Sequence, residues 1–113
     1  MIDPYPKITR AAIVAEARSW VGTPFHWQQA VKGRGCDCKG LVAGIAGSLG
    51  MAEAETFYAR IFAHRSRIVD AKLLRQGLEA VFDRTDDPQP GDVLLLRIGA
   101  KPQHLAILAE LPG

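Results

Sequence analysis

Two cysteines and three histidines are the residues of this 113-residue chain best suited to act as nucleophile, base or soft metal ligand. Both cysteines fall within Gly35-Cys36-Asp37-Cys38-Lys39-Gly40-Leu41-Val42. Cys38 stands ahead of an apolar, glycine-dotted run over residues 41–49 that reads as a buried helix. A cysteine at the start of such a helix meets the positive end of its dipole, which favours anions and so lowers a thiol's pKa. Asp37 is a natural N-cap there. His104, in Gln103-His104-Leu105-Ala106-Ile107, is the histidine placed to take and return a proton. Thiol-based acyl transfer needs a thiolate, an imidazole and a third polar group that orients the ring. Cys38 supplies the first and His104 the second, and only the fold could join them. The N–H groups at the helix start would serve as an oxyanion hole. Asp37 could support it through its N–H or carboxylate, and Lys39, if turned inward, would lower the thiol's pKa further.

Each residue admits another reading. A buried cysteine packs as a small hydrophobe, and a histidine at a strand edge can be structural. Cys36, Cys38 and His104 could instead hold zinc, although structural zinc favours two to four residues between paired cysteines and a fourth ligand. Cysteines this close rarely meet disulfide geometry, so reduced thiols are expected. Residues 25–35 carry Phe25, His26, Trp27, Gln28 and Gln29, then Gly33 and Gly35. This stretch either lines a substrate cleft or is a surface loop pinned to the core by Phe25 and Trp27.

The elements that must position these residues follow from periodicity. Pro4 and Pro6 keep the first seven residues irregular. Thr9 is a plausible N-cap for a helix from Arg10, with Ile13, Val14, Ala17 and Val21 at helical spacing and Trp20 beside them. Gly22 ends it in the manner of a C′ glycine, and Thr23-Pro24 forces an extended or turn exit. The second helix starts at Cys38 or Lys39 and turns Leu41, Val42, Ile45 and Leu49 inward, with Gly50 as its stop. Residues 52–67, with Phe57, Tyr58, Ile61 and Phe62, read as a loop with some helix. A third helix spans about residues 70–82, capped by Asp70, with Leu73, Leu74, Leu78 and Val81 on one face. Asp86-Asp87-Pro88-Gln89-Pro90-Gly91-Asp92 is turn chemistry. Val93–Ile98 suits a strand buried on both faces or lying in a packed sheet, residues 99–102 a hairpin connection, and residues 104–111 a second strand. Helices followed by antiparallel strands make the class α+β.

One domain is expected at this length, and the apolar content suits a packed core. A net charge of +2 with scattered basic residues gives no footprint for nucleic acid. No apolar run reaches a membrane span. The polar, proline-rich start lacks a signal-peptide core, so synthesis in the cytoplasm is expected. Two strands make a marginal sheet, because three or more are normally needed. Helices must cover the hairpin, or further strands come from a longer chain or a partner.

Four motifs, in order, resemble the NlpC/p60-type cell-wall cysteine peptidases, and more closely their phage and gene-transfer-agent-like tail branch. Ala17-Arg18-Ser19-Trp20-Val21-Gly22-Thr23-Pro24-Phe25 is similar to that family's first helix and its exit. Gly35-Cys36-Asp37-Cys38-Lys39-Gly40-Leu41-Val42 is similar to its nucleophile motif, Gln89-Pro90-Gly91-Asp92-Val93-Leu94-Leu95 to its Pro-Gly-Asp strand, and Gln103-His104-Leu105-Ala106-Ile107-Leu108 to its histidine strand. The resemblance implies a papain-like α+β domain with helices packed on a small antiparallel sheet. It implies hydrolysis of peptide bonds in peptidoglycan stem peptides, with Cys38 as nucleophile, His104 as base, and no cofactor or metal. Phe25, His26 and Trp27 would then contact substrate. Such a protein would open the wall locally from a phage-like tail, beside other tail or baseplate proteins, or act on the wall after lysis. Three departures stand out. The family's third polar residue follows the histidine strand, where this chain ends, so the domain is expected to be incomplete at its C-terminus; His26 and His64 both precede His104. Lys39 stands where serine or an apolar residue is common, and Phe25 where tyrosine is. The alternatives are a retired structural or adaptor component with the same fold, or an amidase or acyltransferase on the same cysteine–histidine layout.

Overall fold

The computed structural model describes residues 8–61, 71–99 and 101–112. Within them the elements run α1 (Arg10–Ser19), β1 (Ala30–Val31), β2 (Gly35–Cys36), α2 (Cys38–Ser48), α3 (Ala54–Ile61), α4 (Ala71–Val81), β3 (Val93–Ile98) and β4 (Lys101–Ile107). The class is α+β, with the strands in two separate antiparallel pairs, β1–β2 and β3–β4, rather than in one sheet. Val42 and Ala43 of α2, Phe57 of α3, Leu74 of α4 and Leu105 of β4 make the buried cluster, and Val93, Leu95 and Ile107 pack at its margin. The helices therefore cover one face of the β3–β4 hairpin.

Thr9 caps α1, its Oγ1 accepting the Ala12 N–H at 3.1 Å. The helix stops at Ser19, earlier than the apolar spacing predicts, and Val21 is 84% exposed instead of facing the core. A turn is the reason: the Thr23 N–H donates to the Trp20 carbonyl at 3.0 Å, with Gly22 at φ +94°. Gly22 thus shapes a turn beyond the cap and is not the residue next to it. Trp20 anchors α1 in place of Val21. It is buried, its ring lies against Gly44 of α2 where a Cβ would collide with it, and its Nε1 donates to Glu16 at 2.9 Å.

Residues 25–35 are not simply a loop. Ala30 pairs with Cys36 and Val31 with Gly35, the turn closing through the Arg34 N–H to the Val31 carbonyl at 3.0 Å. On the other side of Cys36, Phe25 forms a parallel bridge. Strands two residues long have no readable period, which is why the pattern hides them. Over residues 52–67 the helical part is α3, which buries Phe57 against Phe82, edge to face at 5.7 Å. The rest of that stretch, with His64, lies outside the described residues, as does the Asp70 cap. In α4, Leu74 is buried and Leu78 and Val81 pack on the core, but Leu73 is exposed.

β3 has the expected bounds but is not buried on both faces: Leu96, Arg97 and Ile98 are exposed. β4 begins at Lys101 and ends at Ile107, so the connection is tighter and the strand finishes earlier than expected, leaving Leu111 exposed. The ladder runs in register from Val93↔Ile107 to Leu96↔His104, then slips to Arg97↔Pro102. Gln103 is the extra residue of a bulge immediately before His104. At the other end of the hairpin the Gln89-Pro90-Gly91-Asp92 turn docks on the first residue of α1. Arg10 pairs with Asp92 at 2.6 Å and donates to the Pro90 carbonyl at 3.2 Å.

Candidate functional site

Cys38 is the first residue of α2, as the sequence predicts, and Asp37 is its N-cap. The Asp37 carboxylate is 3% exposed and divides its two oxygens. Oδ1 accepts the Gly40 N–H at 2.7 Å, capping the helix. Oδ2 accepts the Gln28 N–H at 2.8 Å, holding the preceding loop where Gln28 adopts φ +58°. The Asp37 N–H in turn donates to the Gln29 carbonyl at 3.3 Å. That carbonyl lies so close over Gly40 that a Cβ there would fall on it. One buried carboxylate therefore fixes both the helix start and the aromatic loop. Its second contact was not legible, since nothing local marks Gln28 as left-handed. Gly40 did carry a signal: glycine in a helix interior is disfavoured, so it points to close backbone approach.

The thiol's electrostatics reverse the sequence expectation. Burial pushes the Cys38 pKa up, and the neighbouring Asp37 carboxylate adds to the rise. Backbone N–H groups of Leu105 and Lys39, together with the Lys39 charge, pull it down without winning. The helix start and Lys39 act in the expected direction, but desolvation by the core is larger. Burial also raises Cys36, with Asp37 and Cys38 adding to it.

His104 relates to this thiol through its neighbour Leu105. Leu108 donates to the Asp92 carbonyl at 3.0 Å and accepts the Gly91 N–H at 2.8 Å. By antiparallel alternation Ala106 and His104 then bond toward β3, and the Leu105 N–H points to the open edge of β4. Cys38 packs against the core at Leu105, whose backbone acts to lower the thiol's pKa. The alternation that buries Leu105 sends the His104 side chain to the opposite face, where it is exposed. Among the described residues no hydrogen bond joins the sulfur to the imidazole. Asp37, committed to its two amides, does not orient the ring. Leu105 is the functional neighbour missed from sequence, because backbone donors leave no residue-type signal.

Phe25 and Trp27 are 62% and 41% exposed and pack edge to face with centroids 5.0 Å apart. They do not pin the loop to the core; Trp20 and Asp37 hold this region. His26 is also exposed, its side chain against Gly35, and its N–H donates to the Cys36 carbonyl at 3.1 Å. Phe25 of this exposed aromatic pair thus bridges to Cys36, two residues before Cys38. Among the described residues no group of three His, Cys, Asp or Glu side chains is placed to hold a metal, so Cys36, Cys38 and His104 do not converge as zinc ligands. No described helix is long and apolar enough to cross a membrane. Comparison with protein-family models, with curated proteins and with solved structures gives no match.

Proposed function

We propose that the chain is a cysteine peptidase domain of the NlpC/p60 type, with a papain-like arrangement in which α2 carries nucleophile Cys38 and β4 carries base His104. The observation that supports this best is the position of Cys38 as first residue of α2, packed against the core cluster that includes Leu105, the residue after His104. A side-chain rotation of His104 from its open face toward the β4 edge would then give the proton transfer that thiol attack on a carbonyl requires. The helix-start N–H groups supply the oxyanion site. The exposed Phe25–Trp27 pair, with His26 between them in sequence, would take the substrate side chains. The substrate class is the peptidoglycan stem peptide, reached from a phage-like tail or after lysis.

A second reading is a retired adaptor with the same fold. The raised Cys38 pKa and the unjoined imidazole favour it, because they describe a resting thiol. Digestion of purified peptidoglycan with this chain and with Cys38→Ser, read by mass spectrometry of released muropeptides, separates the two. Stem-peptide cleavage by the wild type alone supports the peptidase. No cleavage by a folded wild-type chain supports the adaptor.

A further inference from the structure

A groove of about 430 Å³ runs between α4 and β3, lined by neither Cys38 nor His104. One wall is Arg75, Leu78 and Glu79 of α4 with Phe82 just past its end, spaced i, i+3, i+4 and i+7 and so on one helix face. The other wall is Asp92 and every β3 residue from 93 to 97. Successive side chains of a strand point to opposite faces. A groove that touches all of them therefore follows the strand's edge. β4 occupies one edge of β3, and the groove follows the other. Because the Asp92 carbonyl bonds toward β4, so do the peptide groups of Leu94 and Leu96, while those of Val93 and Leu95 point into the groove. They have no protein partner among the described residues.

Charge selects what fits. Arg75, Arg84 and Arg97 border the groove and form no ion pair among the described residues, against Glu79 and Asp83; Asp92 is already taken by Arg10. The rim is thus net positive over an apolar floor that includes Leu78 and Phe82. A bare, apolar strand edge is a hazard unless something covers it, and a two-stranded sheet gains stability from a third strand.

We propose that this groove binds an extended segment of a partner protein, added to the free edge of β3 as a third strand, apolar and acidic in alternation. Main-chain bonds to Val93 and Leu95 supply affinity, and the alternate side chains are sorted between the apolar floor and the arginines. This is independent of any chemistry at Cys38.

The test uses the whole chain and two capped octapeptides, one alternating glutamate with valine and one alternating lysine with valine. Amide hydrogen exchange at Val93 and Leu95 is followed by NMR. The acidic peptide should slow both amides by about tenfold or more, with little change from the basic one. In the triple variant Arg75→Glu, Arg84→Glu, Arg97→Glu the preference should reverse. Equal protection by both peptides, or by neither, overturns the proposal. So does protection that rises with protein concentration alone, which would assign the edge to a second copy of the chain.

Discussion

Alkylation of Cys38 by iodoacetamide should accelerate with pH along a curve whose midpoint lies above that of an ordinary thiol, because burial holds the proton on the sulfur. A midpoint below the ordinary value would mean that the helix start and Lys39 outweigh the core. The sign matters for chemistry: a thiol kept neutral at rest needs a base or a bound substrate to become a nucleophile, so hydrolysis, if present, should rise through mildly alkaline pH. At Asp37 the expectation is structural. Asp37→Ala removes the cap and frees the Gln28 N–H, and should cost about 2 kcal/mol in urea unfolding. At this scale the sequence singled out Cys38 and His104 as candidates by type and spacing. It misjudged the thiol's charge state because a helix start is local information, while desolvation depends on Leu105 and the core around it, which are distant in sequence.

The elements were readable where a period ran long enough. α1, α2, α4 and β3 follow from apolar spacing, capping residues and turn chemistry. β1 and β2 are held by backbone bonds to Asp37's neighbours and by Gly35 closing on His26, and neither leaves a hydrophobic pattern. The tight crossing of α1 on α2 rests on Trp20 over Gly44. Gly44→Ala should force that ring to move and cost roughly 1–3 kcal/mol, measured by denaturant midpoint. Arg10→Ala is a useful contrast. It breaks the ion pair that ties α1 to the turn before β3, yet Arg10 is more than half exposed, so the loss should stay below about 1 kcal/mol.

For the whole molecule the two classes of shifted groups bracket a stability plateau. Cys36 and Cys38 have raised pKa values, so their contribution is complete below the pKa of the unfolded thiols and is lost as pH rises through the folded values. Glu16 is lowered by its hydrogen bond from Lys32, with burial opposing and Trp20 and Ser19 assisting. In Asp92 burial pushes upward but is outweighed by the Gln89 N–H and Arg10. Those carboxylates contribute above their unfolded pKa values and lose the contribution as pH falls through the lowered ones. Thermal melts should therefore be flat from about pH 5 to 8 and fall on either side. The core is small and shared among four elements, so Leu105→Ala, at a side chain 1% exposed, should cost about 2–5 kcal/mol.

The helix that begins at Cys38 contains Gly40, Gly44 and Gly47, so its intrinsic helix propensity is poor, by up to about 1 kcal/mol for each glycine relative to alanine. Two of those glycines are where Gln29 and Trp20 press in. That poor propensity predicts that α2 forms late in folding, as its neighbours arrive. Conservative substitutions on α2 should accordingly speed unfolding while leaving the folding rate nearly unchanged. Because burial is what raises the Cys38 pKa, opening of α2 should return the thiol toward its ordinary acidity and make it easier to alkylate than in the folded chain.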